Sequence, residues 1–381
     1  NGPLHFANPT RALFRVQKEG DKDAHQFAQG HPRAKPGPLV TYVWKPRNNR
    51  KGRHELSIQR THPSQTLDMI PVTGSIRSTL RGISRMFTKA PVFDISYLVA
   101  VIFTLGSVIW CINGFFNFLP LIRPKSEFKG EELVGGGVTA FIGATIFEIG
   151  SILLILEALN ENRDGCFGWA VHEALDEAAR PVEPAIEHCI HHHQKTWNIF
   201  RKKAGRSRSV EEGRKETGKP ADNLVWIWSP SWYDLKKHFF HEIGFVACFS
   251  QLIGATVFWI SGFTALPGIL NKMSPGLEDG IYWTPQVVGG TGFIISGTLF
   301  MLETQKKWWK PAFGVLGWHI GFWNLIGGIG FTICPAFGYD TDSWAQYQAS
   351  CSTFWGSWAF LIGSVIQWYE SLEKYPVRVE A

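Results

Sequence analysis

Six stretches of this chain are long, apolar and almost free of charge, and nothing else in the sequence limits its fold as strongly. They run Ile95–Leu119, Val134–Leu156, Ile243–Pro267, Ile281–Leu302, Pro311–Pro335 and Ser350–Tyr369. Each has 20 to 25 residues, and about 20 suffice to cross the hydrocarbon core of a bilayer. Among 38 Lys and Arg and 32 Asp and Glu, only Glu148 falls inside them. A helix on the surface of a soluble domain keeps a polar stripe; these segments keep none. The mean hydropathy of −0.05 is therefore a cancellation between apolar spans and a charge-rich remainder. The expected fold class is all-α: a polytopic membrane protein with six transmembrane helices.

The flanks set an orientation. Of the 38 Lys and Arg, 34 lie in the amino-terminal segment, the loops after spans two and four, and the tail. Lys306, Lys307 and Lys310 fill a short loop, and Arg77, Arg81, Arg85 and Lys89 precede span one. Positive charge favours the cytosolic side, so both termini are expected there. Trp283, Trp308, Trp309, Trp344 and Trp368 fall near span ends, where an amphipathic indole is favoured. The polar start shows no apolar run of signal-peptide type. Whether the membrane is the plasma membrane or an internal one stays open.

The spans repeat. Span two carries Gly150-Ser151, span four Ser296-Gly297 and span six Gly363-Ser364, and a Glu follows the first member of each pair by seven residues: Glu157, Glu303 and Glu370. In the odd spans, Gly106 and Gly114, Gly254 and Gly262, and Gly327 and Pro335 are each eight apart. This reads as three tandem two-helix hairpins, at 93–158, 241–304 and 305–370. A polar insertion at 159–240 separates the first two. The flanks are a basic amino-terminal region at 1–92 and a tail at 371–381. Small residues four apart, such as Ala359/Gly363 and Gly317/Gly321, point to close helix packing in lipid.

The motifs Leu105-Gly106-Ser107 and Trp358-Ala359-Phe360-Leu361-Ile362-Gly363-Ser364 resemble those of the YrhK-like domain, a two-helix membrane module. The plan of a basic amino terminus followed by three hairpins is similar to that of fungal integral membrane proteins. The resemblance implies the architecture and carries no catalytic residues.

Several side chains are candidates for chemistry. Glu148 lies mid-span, where a carboxylate is costly and is expected to face the bundle interior. His319 is the other ionisable group inside a span, placed about two turns from its cytosolic end. A Glu148–His319 pair, with hydrogen bonds from Asn113, Gln251 and Asn324, would relay protons or hold a cation; the alternative is a structural hydrogen bond. Glu157, Glu303 and Glu370 oppose the helix dipole at their carboxyl ends. They read either as a ring of carboxylates that attracts cations or as partners of Lys306, Lys307, Lys374 and the Arg163 region. His188 and His192, with Cys189 and His193 beside them, have helical spacing for a weak metal site. Cys334 and Cys351 flank the last outer loop and are a possible disulfide. Ser75 to Lys89 forms an amphipathic helix at 75–89, with Ile76, Leu80, Ile83 and Phe87 on one stripe and Arg77, Arg81, Arg85 and Lys89 on another. Its expected partner is the bilayer and its anionic headgroups. A nucleic-acid partner is not expected.

No phosphate-binding loop, nucleophile elbow or dinucleotide fingerprint is present. A non-enzymatic membrane protein without a cofactor is therefore expected, one that moves or senses a small solute or ion through the bundle. The alternatives are a scaffold that recruits partners through its cytosolic regions and a metal-dependent membrane enzyme using the His188–His193 cluster.

Overall fold

The computed structural model describes residues 12–15, 39–53, 55–59, 73–161, 197–198 and 226–380. Two helices precede the spans, α1 (Pro46–Arg50) and α2 (Ile76–Thr88). Six more are α3 (Ile95–Ile122), α4 (Gly137–Leu159), α5 (Ile243–Thr264), α6 (Thr284–Thr304), α7 (Leu316–Gly338) and α8 (Ser343–Ser371). With the π-helical turns that lead into α4 and α6, all six are long and apolar enough to cross a membrane. This is a multi-pass membrane protein.

Each span packs against its neighbours in the chain, and α8 closes back on α3. The spans therefore form a ring around one axis. Their outer faces carry exposed Leu105, Ile112, Ile149, Ile253, Ile260, Ile295, Ile362 and Val365. Their inner faces bury Ser107, Ser151, Ser296, Ser357 and Ser364 beside aromatic rings. An apolar exterior around a partly polar interior suits lipid as the solvent. Backbones approach closely where side chains vanish. A Cβ on Gly254 would lie 2.8 Å from the Gly289 carbonyl, and one on Gly292 would lie 2.7 Å from Cα of Gly254.

The spans differ from expectation at their edges. α8 begins at Ser343 and not at Ser350, since Asp342 ends the preceding turn in an extended conformation. α7 begins at Leu316 and not at Pro311, because Val315 is extended.

The all-α reading is supplemented by a small sheet in the order β1 (Ala12–Arg15), β2 (Leu39–Trp44), β3 (Glu55–Gln59) and, after β4 (Lys89–Ala90) pairs with β5 (Trp197–Asn198), β6 (Val377–Glu380). β2 pairs antiparallel with both β1 and β3. β6 pairs parallel with β3, from Leu56↔Val377 to Gln59↔Glu380. The two ends of the chain are thus joined, and the connection between β2 and β3 carries α1.

Candidate functional site

Glu157, Glu303 and Glu370 sit one or two residues from the ends of α4, α6 and α8. They are 0%, 3% and 1% exposed. Three buried carboxylates at one end of a bundle require cations, since an unpaired buried charge is strongly unfavourable. The cations come from α1 and the residues just after it. Arg50 forks onto Glu303 with bonds of 2.6 and 2.7 Å. Arg47 forks onto Glu370 at 2.9 and 2.5 Å, and Arg53 adds a third bond to Glu370 at 2.6 Å. Lys51 reaches Glu157 more loosely, at 3.4 and 3.5 Å, and Ser96 donates to the same carboxylate.

Local sequence explains why α1 fits this role. Pro46 stands at the first helical position, where its missing N–H costs nothing. Gly52 has φ +56°, a left-handed conformation that Gly adopts freely. Arg53 N then bonds to the Asn48 carbonyl and Gly52 N to that of Asn49, the 6→1 and 5→2 bonds of a Schellman motif. The result is a short capped helix that presents cations to the bundle.

The spans leave room for them. The second residue of each odd span is small: Ser96 in α3, Gly244 in α5 and Gly317 in α7. A Cβ on Gly244 would lie 1.7 Å from Nη1 of Arg50, and one on Gly317 would lie 2.4 Å from Cζ of Arg47. Each hairpin therefore supplies a carboxylate from its even helix and a small seat from its odd helix, and the amino-terminal segment supplies a basic residue to each. Burial opposes the charge of Arg50, but Glu303 outweighs it and holds the guanidinium well above its ordinary range. At Lys51 burial wins over Glu157 and pulls the ammonium below its usual value. The Lys51 corner is the weakest of the three.

Above this lock the axis is filled by six rings. Phe147, Phe293 and Phe360, each three residues before a small pair, form a triangle with centroids 5.5–6.4 Å apart. Trp110, Phe258 and Phe331, each four residues after the first member of its span's eight-apart pair (Gly106, Gly254, Gly327), form a second triangle at 4.9–5.7 Å. The two layers touch within each hairpin, at 6.4 Å (Trp110–Phe147), 5.8 Å (Phe258–Phe293) and 5.2 Å (Phe331–Phe360). All six are at most 5% exposed. The axis is closed there.

A cavity lies on each side of this plug of rings. Between it and the lock is a chamber of about 30 Å³, lined by Gln251, Asn324, Gln367, Arg47 and Lys51 among others. That holds one or two water molecules. At the opposite end of the bundle is a vestibule of about 380 Å³. Trp110 and Phe258 form its floor, and Asn113, Asn117, Tyr282, Trp283, Gln286 and Gln346 are among its walls.

The expected site residues fall as follows. Gln251 and Asn324 face the axial chamber, and Asn113 faces the vestibule, where it donates to the Gly136 carbonyl at 2.7 Å. Glu148 does not face the axis, which its neighbour Phe147 occupies; it lies half-buried at the outer seam between α4 and α5, accepting a bond from Thr256 at 2.9 Å. His319 is in the first turn of α7, not two turns in, and bonds to the Phe313 carbonyl at 2.8 Å. Glu148 and His319 thus have separate partners at different depths. The three carboxylates are paired, but with Arg47, Arg50, Lys51 and Arg53 in place of Lys306, Lys307 and Lys374. Lys374 instead pairs with Asp94 at 2.7 Å and donates to the Lys51 carbonyl. Arg163 lies outside the described residues, as do His188, Cys189, His192 and His193. Cys334 and Cys351 are free thiols. In α2 the stripe of Ile76, Leu80, Ile83 and Phe87 is exposed, while Gly82 and Met86 are buried, with Gly82 against Tyr369, and Arg85 lies 3.7 Å from Glu373.

The lock cations lie in the basic amino-terminal region at 1–92, which by sequence alone reads only as a flank of the spans. The signal was present in Lys45-Pro-Arg-Asn-Asn-Arg-Lys-Gly-Arg53, with Pro and Gly spaced as the two caps of a short helix full of cations. No family model matches the chain, and neither a characterised protein nor a solved structure matches it.

Proposed function

We propose that the protein senses a small solute across a membrane: the vestibule takes the solute from the non-cytosolic side, and the charge lock reports its binding on the cytosolic side. One observation carries this reading. The bundle is open to a solute-sized cavity at one end and closed behind it twice, by two layers of rings and by the chain's own basic segment. Pockets for small molecules have volumes of about 300–1,000 Å³, and the vestibule falls in that range. A chamber of about 30 Å³ next to the lock offers no continuous path, so sensing is favoured over steady transport. The threefold placement of carboxylates, seats and rings supports the reading of three tandem hairpins, and the fall of 34 of the 38 Lys and Arg in the sequence segments that adjoin the lock ends of the spans supports its cytosolic placement.

Reconstitution in liposomes tests this. The wild-type protein is expected to leave the leak of small cations, anions and neutral solutes at the level of protein-free vesicles. Saturable flux of any of them through the wild type would overturn the sealed-axis reading.

A further inference from the structure

The lining of the vestibule has a chemical bias. Its ionisable side chains include two carboxylates, Glu132 and Glu278, and among the described residues no Lys, Arg or His lines it. Both carboxylates line the same cavity as Tyr282. Arg123, Lys125, Lys129 and Lys272 belong to loops at this end but do not line it. Besides small residues, two leucines, a thiol and three hydroxyls, the wall carries aromatic rings and amides. Tyr282 and Trp283 pack edge to face at 4.5 Å on one side, Trp110 and Phe258 form the floor, and Asn117, Gln286 and Gln346 contribute amides.

Each component selects against a different class. Two carboxylates without a cation repel anions. A cavity of about 380 Å³ is far larger than a bare metal ion, and the described residues hold no group of three His, Cys, Asp or Glu side chains disposed to bind one. Aromatic faces attract organic cations through the ring quadrupole, most strongly where water is excluded. Amides then bind a hydroxyl or carbonyl on the same molecule. The geometry points to a small organic ammonium ion as the vestibule ligand, seated on the Tyr282–Trp283 wall and held by Glu132 and Glu278. This rests on the vestibule being the solute site of the proposed sensor.

Choline and its neutral isostere 3,3-dimethylbutan-1-ol are suitable probes, because they match in shape and differ in charge. Binding is measured by calorimetry on the full chain in detergent micelles. Choline is expected to bind saturably and at least tenfold more tightly than the neutral isostere. Glu278→Gln is expected to weaken choline about tenfold and leave the isostere unchanged; Trp283→Leu is expected to weaken choline more than the isostere. A thermal melt at the wild-type temperature shows that each variant is folded, and Glu132→Gln provides a second variant should Glu278→Gln fail that criterion. Equal binding of the two probes would overturn the cation assignment and leave the vestibule as a solute site. Absence of saturable binding by either probe would overturn both.

Discussion

Removing Arg50 tests whether the buried charge lock holds the bundle end together. Arg50 and Glu303 share two bonds of 2.6 and 2.7 Å, with side chains 3% and 1% exposed. Deleting one partner of such a pair costs about 3–5 kcal/mol, because the other charge stays buried. Here Glu303 would be left near Glu242, which already feels its charge. For domains of about 150–250 residues, 1 kcal/mol corresponds to about 2–4 °C in Tm. Arg50→Met is thus expected to lower the melting temperature in detergent by on the order of 10 °C. Replacing both partners by apolar residues of similar volume removes the orphan, so Arg50→Met/Glu303→Leu is expected to recover most of that loss. Added salt is expected to change the wild-type value little, since buried pairs are weakly screened. A single-variant loss below about 1 kcal/mol, typical of an exposed pair, would refute the reasoning. So would a double variant that loses the sum of the two single losses.

Three further expectations follow from the same geometry. Burial, aided by Glu242, holds the Glu161 carboxyl up to about 7, beside Asn49 of α1 at 2.9 Å, while Arg50 and the Asn49 bond act the other way. A raised carboxyl favours folding in its protonated form, so its contribution is full below about 4.5 and is lost as pH rises through about 7; Glu161→Gln is expected to flatten the melting temperature between those values. Gly297→Ala would bring a Cβ to 2.6 Å from the Leu325 backbone nitrogen, whereas at Gly363 the nearest atom is 3.3 Å away. The first is therefore expected to destabilise by about 1–3 kcal/mol and the second by less, as read by detergent melts. Leu80 in α2 is 63% exposed on the apolar stripe; a Trp placed there in a nanodisc is expected to be quenched by brominated lipid, and an unquenched Trp would remove α2 from the membrane surface.

Much of the architecture was legible in order and composition. The spans announce themselves because lipid demands long apolar helices with every backbone group satisfied internally. The glutamates were legible as a set through their common offset from the small pairs. Their partners were not, because the Arg50–Glu303 and Arg47–Glu370 pairs join residues 253 and 323 positions apart, and no local periodicity carries that distance. Glu148 misled for a related reason. Hydropathy identifies an intramembrane charge but not the face it occupies, and one step from Phe147 turns a helical side chain by about 100°, here from the axis to the outer seam. The small sheet was hidden because strands of four to six residues lie in a region whose charge dominates its pattern.

The three corners of the lock are unequal, and that decides where a vestibule ligand is first felt. A ligand shifts a conformational equilibrium only by its difference in affinity for the two states. An Arg corner is held by a short two-bond fork between buried charges, so a ligand opens it only with a correspondingly large preference for the open state. The Lys51–Glu157 contact is 3.4 Å at its nearest, lacks a fork and involves an ammonium whose charge burial already disfavours. It joins the first hairpin, whose α3 places Trp110 and Asn113 at the vestibule and whose turn leading into α4 places Glu132 there. A tilt of that hairpin moves both ends at once, since packed helices shift as rigid bodies. A vestibule ligand is therefore expected to increase hydrogen exchange at Lys51–Arg53 before Arg47 and Arg50. In Lys51→Arg, where a guanidinium can fork onto Glu157, the ligand response is expected to weaken while ligand affinity rises or falls by less than threefold. An Arg50 corner that opens first, or a response that survives Lys51→Arg intact, would place the coupling elsewhere in the ring.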